Sequence, residues 1–423
     1  MLVEPDRMPP PRPRTIAEAI AAVLDRAGPL PPRRLPLSDA LGLILAEAIH
    51  ADLDLPPFDK SLVDGYAIRA SDLASGIDSW KIVGEIVAGQ TFHQVVEPGQ
   101  AVAIMTGAPL PEGVDSVIMV ERCRVEGSRL SRTGPVAYGQ NRLSQGTELR
   151  QGERIFSEGV ELNAAKLGVL ASLGVTQPFV HPQPRVSILP TGDELVPIDT
   201  RPGPGQIRES NASMLSGLIR RLGGMPVVQP VASDDSERLA KSLHLALFGT
   251  RNEPIAADVL LVSGGVSAGN RDLVPSALQR LGAECVFHKV DVKPGKPLWF
   301  GVGPSLDKNP GALIFGLPGN PVSGLVSTLL FVGPALRVLS GRAATGQTLV
   351  NRRLAHDFEH KEDRPTYHPA CLEVVDGVES VRLLPWAGSS DLKTVALADG
   401  FVALDPVVRI LPKGSAVPFL PLP

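Results

Sequence analysis

The spacing of apolar positions divides the chain into stretches of unlike period. Ile16, Ala19, Ile20, Val23 and Leu24 recur on one helical face, behind Thr15 and Glu18 in a capping-box pattern, so residues 15–26 are predicted to be a helix. A Pro/Gly-rich break follows over 28–36. From about 58 to 147 the runs shorten. Residues 80–83, 101–105, 116–120 and 122–125 are separated by Gly and Pro turns, which predicts a small all-β unit. Helical spacing returns over 163–173, with Leu167 and Leu170 on one side. This helix is expected to pair with the first, leaving the β unit as an insertion between them.

Residues 181–340 alternate between two periods. Buried-type strands are predicted at 186–189, 226–231, 258–262 and 312–315. Helices are predicted at 212–222 (Leu215, Leu218 and Leu222 on one face), at 236–248, in a segment ending near Leu281, and at 322–339. That alternation predicts βαβ units and a mostly parallel sheet covered on both faces. Short β-like runs return after Gly341 and predict a C-terminal β domain. The fold class is therefore multidomain α/β plus β. The expected domains are 1–57 with 148–180 (helical), 58–147 (inserted β), 181–340 (α/β) and 341–423 (β).

Composition narrows the function. A length of 423 residues sets two to four domains. Aromatics make up 4%, so the cores are expected to rest on Leu, Val, Ile and Ala. The net charge of −4, with both signs interspersed, argues against a nucleic-acid binder that relies on global charge. Cys123, Cys285 and Cys371 are widely spaced and form no zinc or CxxC pattern, which fits a reducing cytoplasm. The proline-rich N-terminus lacks the apolar core of a signal peptide and reads as a frayed arm. The most apolar stretch, 325–339, contains Pro334 and Arg337 and reads as too short and polar to span a membrane.

Candidate chemistry gathers in the loops that follow the predicted parallel strands, where open α/β sheets bind ligands. These loops are PTGDEL (190–195), SGGVSAGNRD (263–272) and GLPGNP (316–321). Their glycines let backbone N–H groups approach an anion, and Ser263 and Ser267 add hydroxyls. Glu194 and Asp272 bring carboxylates to the same place, which suits a divalent cation bridging to phosphate. Lys293 and Lys296, in KPGKP (293–297), offer positive charge. SGGV is neither a Walker loop nor a GxGxxG fingerprint, so the weight lies in three such loops within one domain. Asp59, Lys60 and Asp64 lie in a second cluster (56–67), and MTGAP (105–109) places Thr106 either to hold a ligand or to cap a turn. His356-Asp357-Phe358-Glu359-His360 has the wrong order for a zincin helix and reads as surface strand.

DGYA (64–67), MTGAP, PTGDEL, IRESN (207–211), SGGVSxGxxD, KPGKP and GLPGNPVS (316–323) stand in this order, and at these residues the chain resembles the MoeA-type molybdopterin molybdenumtransferases, the family that includes the E domain of gephyrin. The resemblance covers most of the chain up to about residue 340. It departs at Lys60-Ser61-Leu62-Val63, where the family commonly has Asn-Ser-Ala-Met, and at residues 141–148, where basic residues are fewer.

The resemblance implies a helical linker domain in two segments, an inserted β domain, a molybdopterin-binding α/β domain and a C-terminal β barrel. It also implies an elongated homodimer whose cleft pairs the α/β domain of one subunit with the DGYA and MTGAP region of the other. The implied reaction inserts molybdate into adenylylated molybdopterin with Mg²⁺ and releases AMP, as the last step of molybdenum cofactor synthesis. Asp64, Glu194 and Asp272 would be catalytic. Glu194, Asp234, Asp235 and Asp272 would hold Mg²⁺. Thr106, Ser263, Gly264, Gly265, Ser267, Lys293, Lys296, Pro318 and Asn320 would bind substrate. The expected partners are adenylylated molybdopterin, molybdate, a second copy of the chain, the preceding adenylyltransferase and acceptor molybdoenzymes, with no nucleic acid and no membrane. The alternative is a homologue that binds molybdopterin or scaffolds without turnover.

Overall fold

Arg185–Pro190, Val259–Ser263 and Leu313–Leu317 are almost uninterrupted runs of buried residues. They form the centre of a six-stranded sheet in the computed structural model, which describes residues 12–249, 256–266, 273–305, 311–344 and 348–423. Met225–Val228 lies at one edge, followed in order by 185–190, 259–263, 313–317, Trp299–Val302 and Glu284–His288. The first four strands are parallel, with Ile188 opposite Leu261 and Leu261 opposite Phe315. The last two run antiparallel.

Both faces of the sheet are covered, as continuous apolar strands require. Val186, Ile188, Val259, Leu261 and Phe315 pack with the helix Asn211–Arg221 and the long helical run Pro321–Leu339. Leu189, Leu260, Val262 and Ile314 pack on the other side with Ser236–Phe248 and Leu273–Arg280. Three of the chain's few aromatic residues meet in this core. Phe287, Phe300 and Phe315 stack in series with centroids 5.3 and 4.9 Å apart.

Three expectations need correction. The run Pro321–Leu339 has 19 residues and is, by length and composition, apolar enough to cross a membrane; 89% of its most apolar stretch is buried in the protein, so its apolarity is that of a core helix. Its middle turn, Thr328–Val332, is π-helical. The first helix, Ile16–Arg26, does not group with Ala164–Ser172. Its buried Ala19 and Val23 join the α/β core. Ahead of it, Arg14 is held, its N–H donating to the Lys289 carbonyl and its carbonyl accepting from the Asp291 N–H, while residues 1–11 of the expected arm lie outside the described residues.

The described chain divides into two units, one drawn from Met1–Arg34, Gly42–Ala46 and Phe179–Pro423, the other from Leu35–Leu41 and Glu47–Pro178. The second contains a six-stranded sheet between residues 65 and 132. Alternate residues face opposite sides of it: Ala67, Val102 and Val117 line one core, and Ile68, Ala101 and Ile118 the other.

In the first unit the C-terminal strands Val350–Leu354, Val378–Leu383, Thr366–Val375, Gly400–Leu404 and Ala416–Pro421 close a barrel. The segment 356–360 is not simple surface strand. Phe358–Glu359 pairs with Ile410–Leu411, but His360 is 2% exposed. The ring of Phe358 meets that of His368 edge-on at 5.3 Å.

Burial pushes the pKa of His368 down to about 4. The folded chain therefore resists a proton that the unfolded chain accepts below its ordinary value. Stability from this group is complete above that value and is lost as pH falls through about 4. We expect up to about 3 kcal/mol of stability to disappear over that window, and His368→Phe to flatten the slope. Chemical denaturation at pH 7, 5.5 and 4.5 measures this, and equal slopes in parent and variant would refute it.

Candidate active site

The chain leaves strand 185–190 towards one edge of the sheet to make 225–228, then crosses back to make 259–263 on the other side. Connections therefore diverge at the carboxyl ends of 185–190 and 259–263, and such a switch point opens a crevice. A cleft of about 930 Å³ lies there. It is lined by 191–195, 207–211, Asp234, 263–266, Leu273, Pro297 and 318–321. The three loops expected to converge do so.

Hydrogen bonds tie these loops together. The Thr191 N–H donates to the Ser263 carbonyl (2.9 Å), and the Gly264 N–H donates to the Leu317 carbonyl (3.0 Å). Because the Gly264 N–H is engaged inside the protein, its role is conformational rather than anion-binding. Its φ is +104°, and a Cβ there would lie 2.7 Å from the Thr191 carbonyl oxygen. Asn211 Nδ2 donates to Ser263 Oγ (2.9 Å) and to the Gly319 carbonyl (2.8 Å). Glu209 is buried and accepts from the Ala212 N–H (2.8 Å), which starts the helix.

Acidic groups dominate the rim. Asp193, Glu194 and Asp234 line the cleft, and Asp193 Oδ1 accepts from the Asp234 N–H at 3.2 Å. Asp235 is instead the N-cap of Ser236–Phe248, with Oδ1 accepting from the N–H groups of Glu237 and Arg238. Of the two neighbouring acids, Asp234 is the one in the cleft. Among the described residues, no group of three or more His, Cys, Asp or Glu could hold a metal ion by itself. The donor set is nonetheless all oxygen, and Mg²⁺ is commonly held by one or two carboxylates plus substrate phosphate, so these residues fit a hard cation.

The lysines fall differently from expectation. Lys293 Nζ pairs with Glu362 at 2.6 Å and does not line the cleft. Lys296 is exposed beside Pro297, which does line it. Arg208 is the one lysine or arginine among the described lining residues, with Nε donating to the Thr200 carbonyl at 3.0 Å. Arg208 and Asn211 both belong to the IRESN motif, and a single cation beside four lining carboxylates marks Arg208. Pro318 and Asn320 line the cleft, and Asn320 Nδ2 donates to Ser389 Oγ at 2.9 Å. Ser267 and Asp272 lie outside the described residues.

In the other unit, Asp64 Oδ1 accepts from the Thr106 N–H and from Thr106 Oγ1, both at 2.7 Å. The backbone N–H of Thr106, and then its hydroxyl, hold the Asp64 carboxyl below its ordinary pKa. Thr106 thus gives its proton to Asp64, and any ligand would meet it as an acceptor. Gly65 follows because Gly65–Ile68 pairs so closely with Ser116–Met119 that a Cβ would run into the Ile118 carbonyl oxygen.

Three family models match in series: the MoeA N-terminal region (domains I and II) over residues 14–174, a probable molybdopterin-binding domain over 187–338, and the MoeA C-terminal region (domain IV) over 351–422. A molybdopterin molybdenumtransferase from Nostoc sp. is 34% identical over 88% of this chain and 86% of its own length. One from Synechococcus elongatus is 35% identical over 73% of this chain and 75% of its own. The crystal structure of a molybdopterin biosynthesis MoeA protein from Pyrococcus horikosii superposes with a TM-score of 0.80 at 29% identity, covering 97% of this chain and all of that one. With the switch-point cleft falling inside the matched molybdopterin-binding region and relatives aligned along most of their lengths, the chain belongs to the MoeA family of molybdopterin molybdenumtransferases.

Proposed function

We propose that the enzyme inserts molybdate into adenylylated molybdopterin and releases AMP, the final step of molybdenum cofactor synthesis. The observation that carries this reading is the convergence of 191–195, 263–266 and 318–320 on one crevice with an acidic rim. Four carboxylates beside glycine loops would repel a phosphoanhydride unless a cation came with it. Mg²⁺, held by Glu194 and Asp234 together with ligand phosphate oxygens, would supply charge neutralisation for the departing AMP. Asp272 is proposed as a further carboxylate for the same ion.

The side chains of the cleft take the remaining roles. Ser263 donates to a phosphate or molybdate oxygen, and Arg208 and Lys296 bind the ligand's negative charge. Gly265, Pro318 and Asn320 shape the pocket around it, and Ser267 is proposed to bind the same ligand through its hydroxyl. Asp64 and Thr106 are proposed to act from the second subunit of a homodimer, with residues 58–147, 181–340 and 341–423 as separate domains. Three free cysteines suit a cytoplasmic location.

One preparation tests the reading. Light scattering at micromolar concentration is expected to give a dimer, and that dimer, given adenylylated molybdopterin, Mg²⁺ and molybdate, is expected to release AMP in step with molybdenum incorporation. Absence of molybdate-dependent AMP would overturn the reaction, and a monomer that still released AMP would overturn the cross-subunit site.

A further inference from the structure

The hydroxyl of Ser263 can either give its proton to a ligand or turn it inward. Its side chain is 4% exposed and lines the cleft, so its orientation is set by its neighbours. The neighbour within reach is Asn211, the first residue of the helix Asn211–Arg221. An asparagine amide presents both a donor and an acceptor face, and which faces the serine decides the outcome. The Gly319 carbonyl settles the choice. A carbonyl oxygen only accepts, so the amide atom 2.8 Å from it must be the nitrogen. That same nitrogen lies 2.9 Å from Ser263 Oγ. Both amide hydrogens are then used, one on each oxygen, and Ser263 Oγ is obliged to accept. Its own proton finds no acceptor among the described residues, so it remains for whatever enters the cleft.

We infer that Asn211 is a positioning residue that fixes the polarity of Ser263, making its hydroxyl a donor to an anionic oxygen of the ligand. Resting on the reading of the cleft given above, the assignment adds a residue to it. One amide also joins the start of a helix, the end of strand 259–263 and the loop before Pro321–Ser327. The hydroxyl and the third loop are thereby set by the same group. A hydroxyl aimed in this way distinguishes phosphate and molybdate oxygens, which accept, from groups that only donate.

Asn211→Asp keeps the shape, reverses the hydrogen bond to Ser263 and loses the one to the Gly319 carbonyl, the last whether or not Ser263 is present. A carboxylate accepts, so the Ser263 proton turns to residue 211 and is lost to the ligand. An acid in the first turn of a helix is favourable, so the variant is expected to fold. The added charge also weakens anion binding by itself, and a double-mutant cycle with Ser263→Ala removes that part, because the repulsion is present in both backgrounds.

The measurement is calorimetric affinity for adenylylated molybdopterin without Mg²⁺ or molybdate, in the parent, the two single variants and the double variant. Ser263→Ala should weaken binding roughly tenfold, the worth of a hydrogen bond to a charged group. Asn211→Asp should weaken it roughly tenfold more when Ser263 is present than when residue 263 is alanine. Equal losses in both backgrounds would mean that Asn211 only holds the loops, and would overturn the inference. If Asn211→Asp melts too low to assay, Asn211→Ala takes its place in the cycle. There a coupling of about threefold or more supports the inference and strict additivity overturns it. A parent that fails to bind the ligand would overturn the reading of the cleft itself, which is a different failure from additivity in a parent that binds.

Discussion

Glu194→Gln is expected to lower molybdate-dependent AMP release about a hundredfold at fixed Mg²⁺, equivalent to about 3 kcal/mol of transition-state stabilisation. Glu194 is exposed on the cleft rim beside Asp193, and Asp234 is the other carboxylate proposed to hold the cation. Glutamine keeps the length of the side chain and removes the charge that attracts Mg²⁺. Two signatures separate this from general damage. The Mg²⁺ dependence of the rate should move to higher concentration, and the unfolding midpoint should stay within about 0.5 kcal/mol of the parent, as an exposed substitution does. Unchanged AMP release at the parent's Mg²⁺ requirement would remove Glu194 from the metal site.

Gly65→Ala should act on the other unit and through the backbone. The two strands meet with Gly65 opposite Met119, and an added methyl would press on the Ile118 carbonyl oxygen. Neither strand can yield, because Ala67 and Ile68 are fully buried in the two cores on either side of the sheet. Overpacking against a backbone atom costs about 3 kcal/mol. Amide exchange should report the loss locally, with protection falling at residues 66–68 and 116–119 and holding in the sheet of the other unit. A variant with the parent's protection at 66–68 would contradict the assignment of this glycine as a steric requirement.

Both substitutions fall in motifs that stand out in the sequence, yet legibility differed across the chain. Strands 185–190, 259–263 and 313–317 could be read because burial on both faces demands unbroken apolar runs. Glu284–His288 and Trp299–Val302 were missed. The first is an edge strand with only Phe287 fully inside, and the Pro/Gly-rich 293–297 segment between them obscures the pairing. The cleft loops were legible from their glycines. Asn211 was not, because an asparagine ahead of a helix reads as a cap, and its partners lie 52 and 108 residues away. Lys293 misled for a similar reason. Its partner Glu362 comes from the C-terminal domain, and nothing near residue 293 announces it. Asp235 was expected to hold Mg²⁺, although its place directly ahead of a helix that starts at Ser236 already marks it as a cap.

The run Pro321–Leu339 has a consequence for how the protein is made. Val186 and Ile188 pack in the same core as Val326, Leu329, Phe331 and Leu336, so strand 185–190 is synthesised long before the helix that covers it. The α/β sheet cannot close on that face until the whole run has left the ribosome, and loop-closure entropy slows the step further. When the run does emerge, it is a stretch of membrane-like apolarity with its docking surface already waiting. Until it packs, the run leaves apolar surface exposed, and the earlier synthesis of strands 185–190 and 259–263 shortens that interval.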